Sequence, residues 1–238
     1  MFALSGTLLN ASTVLVGGLL GTFLGDRLPE RIRANVVRGI GLFVLVMGTK
    51  FAIDTANLLY LLGSILIGGI LGTVMGVDAR LNALGDVFQR RFTAPGKTST
   101  VSEAFVTAAI VFCVGPLTFL GAIQNGLTGD ASLLVIKSVL DGFTATALAA
   151  ALGWGVLLTI VVILVYQGGL ALGAASLAHA LSDPQLREMN AVGGLLILGV
   201  GLKLLAIRDV KVADYLPAIL FAPVLVAIVA RVKEVAGI

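Results

Sequence analysis

The strongest constraint on this chain is a succession of apolar stretches, each about as long as a membrane is thick. A helix needs about 20 apolar residues to cross the hydrocarbon layer. Eight stretches approach that length: Ala3–Leu24, Val36–Thr55, Leu58–Val77, Glu103–Ile123, Ala131–Leu152, Trp154–Ala175, Ala191–Ile207 and Tyr215–Arg231. Of the 238 residues, 58% are hydrophobic and 12% charged, about half the charged share of a soluble domain. We therefore predict an all-α, polytopic transmembrane helix bundle that has lipid as its solvent.

The number of spans depends on the junction between the fifth and sixth stretches. Only Gly153 separates them, so the turn there must be tight. If one of the two is re-entrant, the bundle has seven spans rather than eight. The first residues lack the positively charged start of a secretory signal peptide, so we expect them to begin the first span.

Basic residues flank the apolar stretches unevenly, and this predicts their orientation. Ten lie on one side of an eight-span bundle and three on the other: Arg27, Arg31, Arg33, Arg38, Arg80, Arg90, Arg91, Lys97, Arg208 and Lys211 against Arg187, Arg231 and Lys233. Loops rich in Lys and Arg stay in the cytoplasm. Both termini are therefore predicted to lie outside the cytoplasm.

Two connections on the basic side alternate apolar and charged residues at helical spacing. Asp26–Gly39 and Asp78–Phe92 are predicted to be interfacial helices whose arginines face anionic lipid headgroups. A regulatory or partner-binding role is the alternative. Thr93–Ser102 is a linker-like segment that divides the chain.

An internal repeat relates two parts of the sequence. The stretch LPERIRANVVRGIGLFVLVMGTKFAI begins at Leu28, and DPQLREMNAVGGLLILGVGLKLLAI begins at Asp183. Their polar residues and glycines align in pairs, with a two-residue gap before the last: Pro29 with Pro184, Asn35 with Asn190, Gly39 with Gly194 and Lys50 with Lys203. Spans 1–3 thus resemble spans 6–8. Chance similarity between glycine- and leucine-rich helices is the alternative.

The repeat divides a single membrane domain, residues 1–238, into three parts. Residues 3–92 form the first repeat unit, 103–152 the central pair of spans and 154–231 the second unit. An odd number of spans separates spans 1 and 6, so the two units are predicted to have opposite orientations. Such inverted repeats support alternating access around a site near the midplane, although channels also contain them.

Glycines recur every four residues on three of the predicted helices. They are Gly17, Gly21 and Gly25, then Gly68, Gly72 and Gly76, and lastly Gly169 and Gly173. This spacing places small residues on one face and predicts close helix packing, either within the chain or in a homo-oligomer.

The fifth span contains the main buried charges. Lys137 and Asp141 are four residues apart and share a helix face, with Ser138 beside them. Charged groups inside a membrane are costly and usually functional. The pair is either a structural ion pair or a cation or proton site that lines a polar cavity.

Other polar residues are candidates for the same cavity. Gln124, Asn125 and Asp130 lie in Gly121–Asp130, predicted to be an unwound segment at a cavity mouth or an ordinary turn. Pro116 should kink the fourth span. Asn10 in the first span, and Tyr166 and Gln167 at a polar break in the sixth, complete the set.

The residues related by the repeat are weaker candidates. Asn35 and Asn190 are polar partners in the alignment, and Lys50 and Lys203 either extend to the membrane interfaces or bind an anionic group. The single cysteine, Cys113, excludes an intramolecular disulfide and a multi-cysteine metal site. No enzyme motif occurs, so we expect no enzymatic activity, no organic cofactor and no nucleic-acid partner.

Five segments together resemble a known family. GAIQNGLTGD, KSVLDGF, YQGGL, MNAVGGLLILGVGLKLL and LPAIL, in this order, are similar to the bacterial YdfK/YqgA-type membrane proteins, a domain family of unknown function. The resemblance spans essentially the whole chain and implies a polytopic fold in the bacterial inner membrane. The stretch SVLDG is also loosely similar to the acidic motif of small manganese exporters, which keeps divalent cations among the possible substrates.

These observations favour a secondary transporter or permease for a small solute or ion. An oligomeric ion channel or pore is the first alternative, and a non-transporting membrane scaffold is the second.

Overall fold

The computed structural model describes residues 3–25, 27, 29–80, 83, 101–113, 116–174 and 181–236. In these residues the chain is helical and contains no β-strand. The helices are α1 (Ser5–Gly25), α2 (Glu30–Ala52), α3 (Leu58–Met75), α4 (Val101–Cys113), α5 (Pro116–Thr128), α6 (Ser132–Leu152), α7 (Thr159–Leu172), α8 (Asp183–Leu204) and α9 (Pro217–Ala236). Short 3-10 helices precede α7 at Trp154–Leu158 and α9 at Val212–Tyr215. The predicted all-α membrane bundle is confirmed.

Six helices in the described residues are long and apolar enough to cross a membrane, or seven if α4 and α5 form one broken span. The seventh predicted span, Ala191–Ile207, corresponds to α8, which begins earlier than expected. The α8 helix contains Arg187, Glu188 and Lys203 and is not one of these six. Large apolar side chains such as Val74, Phe143 and Ile53 are exposed on the outside of the bundle, as a bilayer environment requires.

Local sequence signals explain where several helices begin and end. The Asn57 side chain accepts a hydrogen bond from the Leu59 N–H at 2.9 Å and caps α3. Gly76 ends α3 in the left-handed conformation, with φ 62°. The tight turn predicted between spans five and six is confirmed: Gly153 has φ 90° and lies between α6 and the following 3-10 helix.

Three sequence predictions were wrong in detail. Asp26–Gly39 is not a separate interfacial helix, because Glu30–Gly39 is the first part of α2. Glu103–Ile123 is not one kinked helix but two, α4 and α5, inclined at 72°. Gly121–Asp130 is not a loop, since α5 continues to Thr128. The polar residues Tyr166 and Gln167 lie within α7, as predicted for the sixth span.

The two differences at α4 and α5 have local causes. Pro116 lacks the N–H that would continue α4, and it occupies the first position of α5, where that N–H is not needed. In α5 the amide of Asn125 donates to the Gly129 carbonyl at 3.2 Å and supports the helix end. The Thr128 hydroxyl donates to the Gln124 carbonyl at 2.8 Å. The second predicted interfacial helix and the linker lie largely outside the described residues.

The helices form two bundles that pack more closely within themselves than with each other. The first bundle contains α1, α4, α5, α6 and α7, and the second contains α2, α3, α8 and α9. The bundles meet mainly where α2 packs on α6 and α4 packs on α8. We call this interface the seam.

Glycines determine how closely the helices approach in each bundle. A Cβ atom at Gly21 of α1 would overlap the Thr146 carbonyl oxygen of α6, and one at Gly25 would meet Ala150. Gly6 meets Leu134, at the other end of the same contact, so α1 and α6 are parallel. The predicted packing role of these α1 glycines is confirmed, whereas Gly169 faces open space.

In the second bundle, helices that the repeat relates pack against one another. Gly48 of α2 faces Gly194 of α8, whereas Gly41 faces Leu205, so the two helices are antiparallel. The α3 and α9 helices are also antiparallel, since Gly63 meets Leu225 and Gly72 meets Asp214 just before α9.

We predict that Gly21→Ala lowers stability while Gly169→Ala does not. The new methyl group at position 21 has backbone on its far side, and overpacking of this kind costs about 1–3 kcal/mol. At position 169 the methyl group enters open space and alanine favours the helix. Thermal unfolding in detergent, followed by circular dichroism, compares the two. Equal melting temperatures would contradict the packing described.

Candidate functional site

A buried ion pair lies at the centre of the first bundle. Asp141 is the tenth of the 21 residues of α6, about 14 Å along the helix from its start. Asp141 is 7% exposed and Lys137, one turn earlier, is 4% exposed. The Lys137 ammonium donates to Asp141 Oδ2. The predicted i,i+4 pair is therefore formed, in the middle of a membrane-spanning helix.

Two amide side chains from neighbouring helices surround this pair. Asn10 of α1 donates from Nδ2 to Asp141 Oδ2 at 3.1 Å and to Gln167 Oε1 of α7 at 3.0 Å. Gln167 in turn donates from Nε2 to the Thr7 hydroxyl at 3.2 Å. Asn10, Gln167 and Thr7 are each no more than 1% exposed. A continuous polar network therefore joins α1, α6 and α7 in an otherwise apolar region, and it is called the central network below.

One acceptor of the central network has no donor. Asn10 Oδ1 is buried, and no hydrogen bond reaches it from the described residues. The orientation of this amide follows from its neighbours, because turning it over would place Oδ1 against the Asp141 carboxylate. A buried acceptor without a partner costs about 1–3 kcal/mol, so this oxygen is available to accept a hydrogen bond or to contact a cation.

The ion pair lies at the seam. Lys137 and Asp141 line a cavity of about 50 Å³ together with Thr144 and Leu140 of α6. Its other walls come from α2, α4 and α5: Phe43, Met47, Phe51, Val111, Leu117 and Thr118. The charged groups therefore face the second bundle across a small gap, with aromatic and methionine side chains opposite.

Further cavities occupy the same interface. An apolar cavity of about 310 Å³ lies between α4 and α7 on one side and Leu216, Ile219 and Leu220 on the other. A smaller cavity brings Cys113 and Tyr166 of the first bundle next to Asn190 of α8. Several cavities thus lie along the seam.

The remaining predicted site residues are not in the central network. Ser138 is buried, but its hydroxyl donates to the Leu134 carbonyl at 2.6 Å rather than to the ion pair. The Asn125 side chain of α5 contacts the start of α1, where its Oδ1 accepts a hydrogen bond from the Gly6 N–H at 3.1 Å. Tyr166 lines the two other seam cavities rather than the one beside Asp141.

Gln124 and Asp130 form an exposed pair at the junction of α5 and α6, with Gln124 Nε2 donating to Asp130 Oδ2 at 2.6 Å. Hydrogen bonding from the Ser132 N–H, and more weakly from Gln124, lowers the pKa of Asp130 below its usual value. Asp130 therefore stays ionised at physiological pH and is a poor proton carrier.

The residues related by the repeat do not converge on a site. Asn35 and Lys50 are exposed on α2. Asn190 lines a seam cavity, and Lys203 lies 3.7 Å from the exposed Asp209. His179 is outside the described residues.

The structure also contains buried polar groups that the sequence analysis missed. Thr7 belongs to the central network, and its spacing of three residues from Asn10 was the available signal. Glu188 of α8 is 1% exposed and accepts from the Thr55 hydroxyl at 2.6 Å and the Ala56 N–H at 2.7 Å. Asp214 accepts from the Asp78 N–H at 2.9 Å. Glu188 therefore binds the connection between α2 and α3, and Asp214 binds the residues that follow α3.

The sequence matches a family described as a protein of unknown function, DUF554, over residues 5–227. The chain belongs to this family. It is 35% identical over 221 residues to the uncharacterized protein YqgA of Escherichia coli strain K12, covering 91% of this chain and 94% of that protein. It is 28% identical over 228 residues to the uncharacterized membrane protein YdfK of Bacillus subtilis strain 168, covering 94% and 96%. The family resemblance found in the sequence is confirmed, and no solved structure matches.

We predict that Asp141→Asn destabilises the protein, whereas the double variant Lys137→Met/Asp141→Leu does not. The single change leaves a buried ammonium without its counterion, at a cost of about 3–5 kcal/mol, whereas apolar replacement of both partners is often neutral. Asp209→Asn, at an exposed acid, is the matched control. Denaturation in detergent measures all three. The burial of the ion pair would be contradicted if the Asp141→Asn and Asp209→Asn variants unfolded alike.

Proposed function

We propose that this protein is a secondary transporter, or permease, for a small solute or ion. The observation that carries the proposal is the ion pair of Lys137 and Asp141, buried at mid-depth and facing the seam between two helix bundles. Placing a charge pair at this depth in a membrane costs free energy, and ionisable residues found there usually have a function. A seam with sparse packing is where two rigid bundles can move relative to each other.

The broken helix α4–α5 supports the proposal. Discontinuous transmembrane helices commonly build transporter sites, because their ends place backbone polar groups inside the membrane. Here the end of α4 and the start of α5 lie beside the same cavity, to which Val111 and Thr118 contribute. The Phe112 carbonyl accepts from the Thr118 hydroxyl at 3.0 Å, and this bond ties the two halves together.

The directions of the helices support an inverted repeat. The repeat relates α1 to α7, α2 to α8 and α3 to α9. The α2–α8 and α3–α9 pairs pack antiparallel, and so does the α1–α7 pair, where Gly18 meets Leu157 and Gly168 meets Leu4 and Thr7. An antiparallel α3–α9 pair also requires that α8 crosses the membrane, which gives eight crossings with the α4–α5 span counted once. Each bundle then contains helices from both repeat units, as alternating access by inverted repeats requires.

In this proposal the protein lies in the bacterial inner membrane with both termini outside the cytoplasm. The basic connections after α1 and α3 contact anionic headgroups on the cytoplasmic side. The protein needs no organic cofactor and catalyses no covalent reaction. Assembly into a homo-oligomer is compatible with this function.

Flux into proteoliposomes tests the proposal. We expect wild-type protein to transport at least one substrate from a panel of small ions and metabolites, saturably and faster when the same substrate is present on the opposite side. The variant Lys137→Met/Asp141→Leu, which keeps the fold, should lose this flux, and Asp209→Asn should retain it.

Other outcomes would support the alternatives. Flux that neither saturates nor responds to substrate on the opposite side would indicate a pore. A complete lack of flux, or equal flux through the double variant, would favour a scaffold in which the ion pair is structural.

A further inference from the structure

In the central network and in the wall of the adjoining cavity, the atoms that can form further hydrogen bonds are mostly acceptors. Asn10 Oδ1 is buried without a donor, and within the described residues no hydrogen bond leads to the second carboxylate oxygen of Asp141. Thr118 and Thr144, in the cavity wall, donate their hydroxyl protons to the carbonyls of Phe112 and Leu140. Their oxygens therefore remain available as acceptors. A surplus of oxygen acceptors fits a cation, because hard cations bind oxygen ligands.

The size of the cavity limits what can bind. One water needs roughly 10–15 Å³ of such volume, and the cavity beside Asp141 has about 50 Å³. It has room for a small cation with one or two waters. An amino acid or sugar does not fit unless the seam opens.

The balance of charge limits the cation further. The central network contains one carboxylate and one ammonium, and no group of three or more His, Cys, Asp or Glu residues suitable for a metal occurs in the described part of the chain. Adding a cation to a buried pair that is already neutral would leave net charge in a medium of low dielectric constant. The charge is unchanged only if one positive charge leaves. With a divalent cation one positive charge would remain even then.

We propose that the site binds one monovalent alkali cation in exchange for the proton of Lys137. As the cation binds Asp141, the Lys137 ammonium releases one proton to water and becomes a neutral amine. The total charge of the site is zero before and after this step. Rebinding of a proton by Lys137 restores the ion pair and expels the cation. This inference rests on the proposed transport function and specifies it as an electroneutral exchange of one cation for one proton.

Apart from Asp141, the described side chains around Lys137 are uncharged. Cys113 of α4 and Tyr166 of α7 line a neighbouring cavity, and both are residue types that are neutral at pH 7. The α1 helix contributes the uncharged Asn10, α5 contributes Leu117 and Thr118, and α2 contributes Phe43, Met47 and Phe51. No second acid in this described set competes with Asp141 for the cation.

Cation binding can be measured without transport. Purified protein in detergent, with choline chloride as a background cation too large for the cavity, is heated with increasing NaCl, LiCl or KCl at pH 7, 8 and 9. In wild-type protein we expect at least one alkali cation to raise the melting temperature. Its half-saturating concentration should fall about tenfold per pH unit, because one proton leaves per cation bound.

Two variants distinguish the contribution of Lys137 to cation binding from that of Asp141. Lys137→Met should bind the cation with a pH dependence different from that of wild type, because the competing proton is then carried by the Asp141 carboxyl group. Lys137→Met/Asp141→Leu should show no cation effect beyond that of choline, and Asp209→Asn should behave as wild type. The exchange is overturned if wild-type protein responds to no alkali cation, if its response does not vary with pH, or if the double variant still responds.

A flux measurement distinguishes failure of this inference from failure of the transport function. In proteoliposomes, a gradient of the alkali cation that raises the melting temperature should drive proton movement at a rate that an imposed membrane potential does not change. Cation binding with the expected pH dependence but without flux would leave the site and overturn the transporter. Flux of another solute without any cation effect would leave the transporter and overturn the exchange.

Discussion

The buried ion pair between Lys137 and Asp141 requires neighbouring polar groups, and the surrounding helices supply them. Two opposite charges in a region of low dielectric constant persist only if each remains paired and hydrogen-bonded. Asn10 of α1 donates a hydrogen bond to Asp141, and Gln167 of α7 accepts one from Asn10. Glycines such as Gly21 make the first bond possible, because they let α1 approach the α6 backbone closely. The charge pair, the amides and the small residues are therefore parts of one arrangement.

The same ion pair connects packing with function. One side of it is enclosed by the first bundle and the other faces a cavity at the seam. A pair embedded in the middle of a rigid bundle would serve stability alone. At an interface between two bundles its partners can be separated or exchanged when the bundles move, which is the basis of both proposals.

The sequence predicted much of this arrangement because helical periodicity and membrane thickness are strong constraints. It predicted the membrane helices, the pairing of Lys137 with Asp141, and the candidates Asn10 and Gln167. It failed where tertiary contacts decide: Gln124 and Asn125 were assigned to a loop because glycines surround them, yet those glycines serve close contacts such as that of Gly126 with Ala171. Glu188 and Asp214 were missed because their partners are distant in sequence. The inverted repeat stays a prediction, supported by the helix directions.

Relative movement of the two bundles is the central claim, and a distance measurement across the seam tests it most directly. Spin labels on the lipid-exposed positions Val46 of α2 and Phe143 of α6, in a Cys113→Ala background in nanodiscs, report the separation of the bundles by pulsed electron resonance. A second pair within the first bundle, Val16 and Phe143, is the reference. We predict at least two populations of the Val46–Phe143 distance, whose proportions change with pH or alkali cation, and one unchanged distance for the reference pair. A single invariant distance across the seam under all conditions would contradict this account.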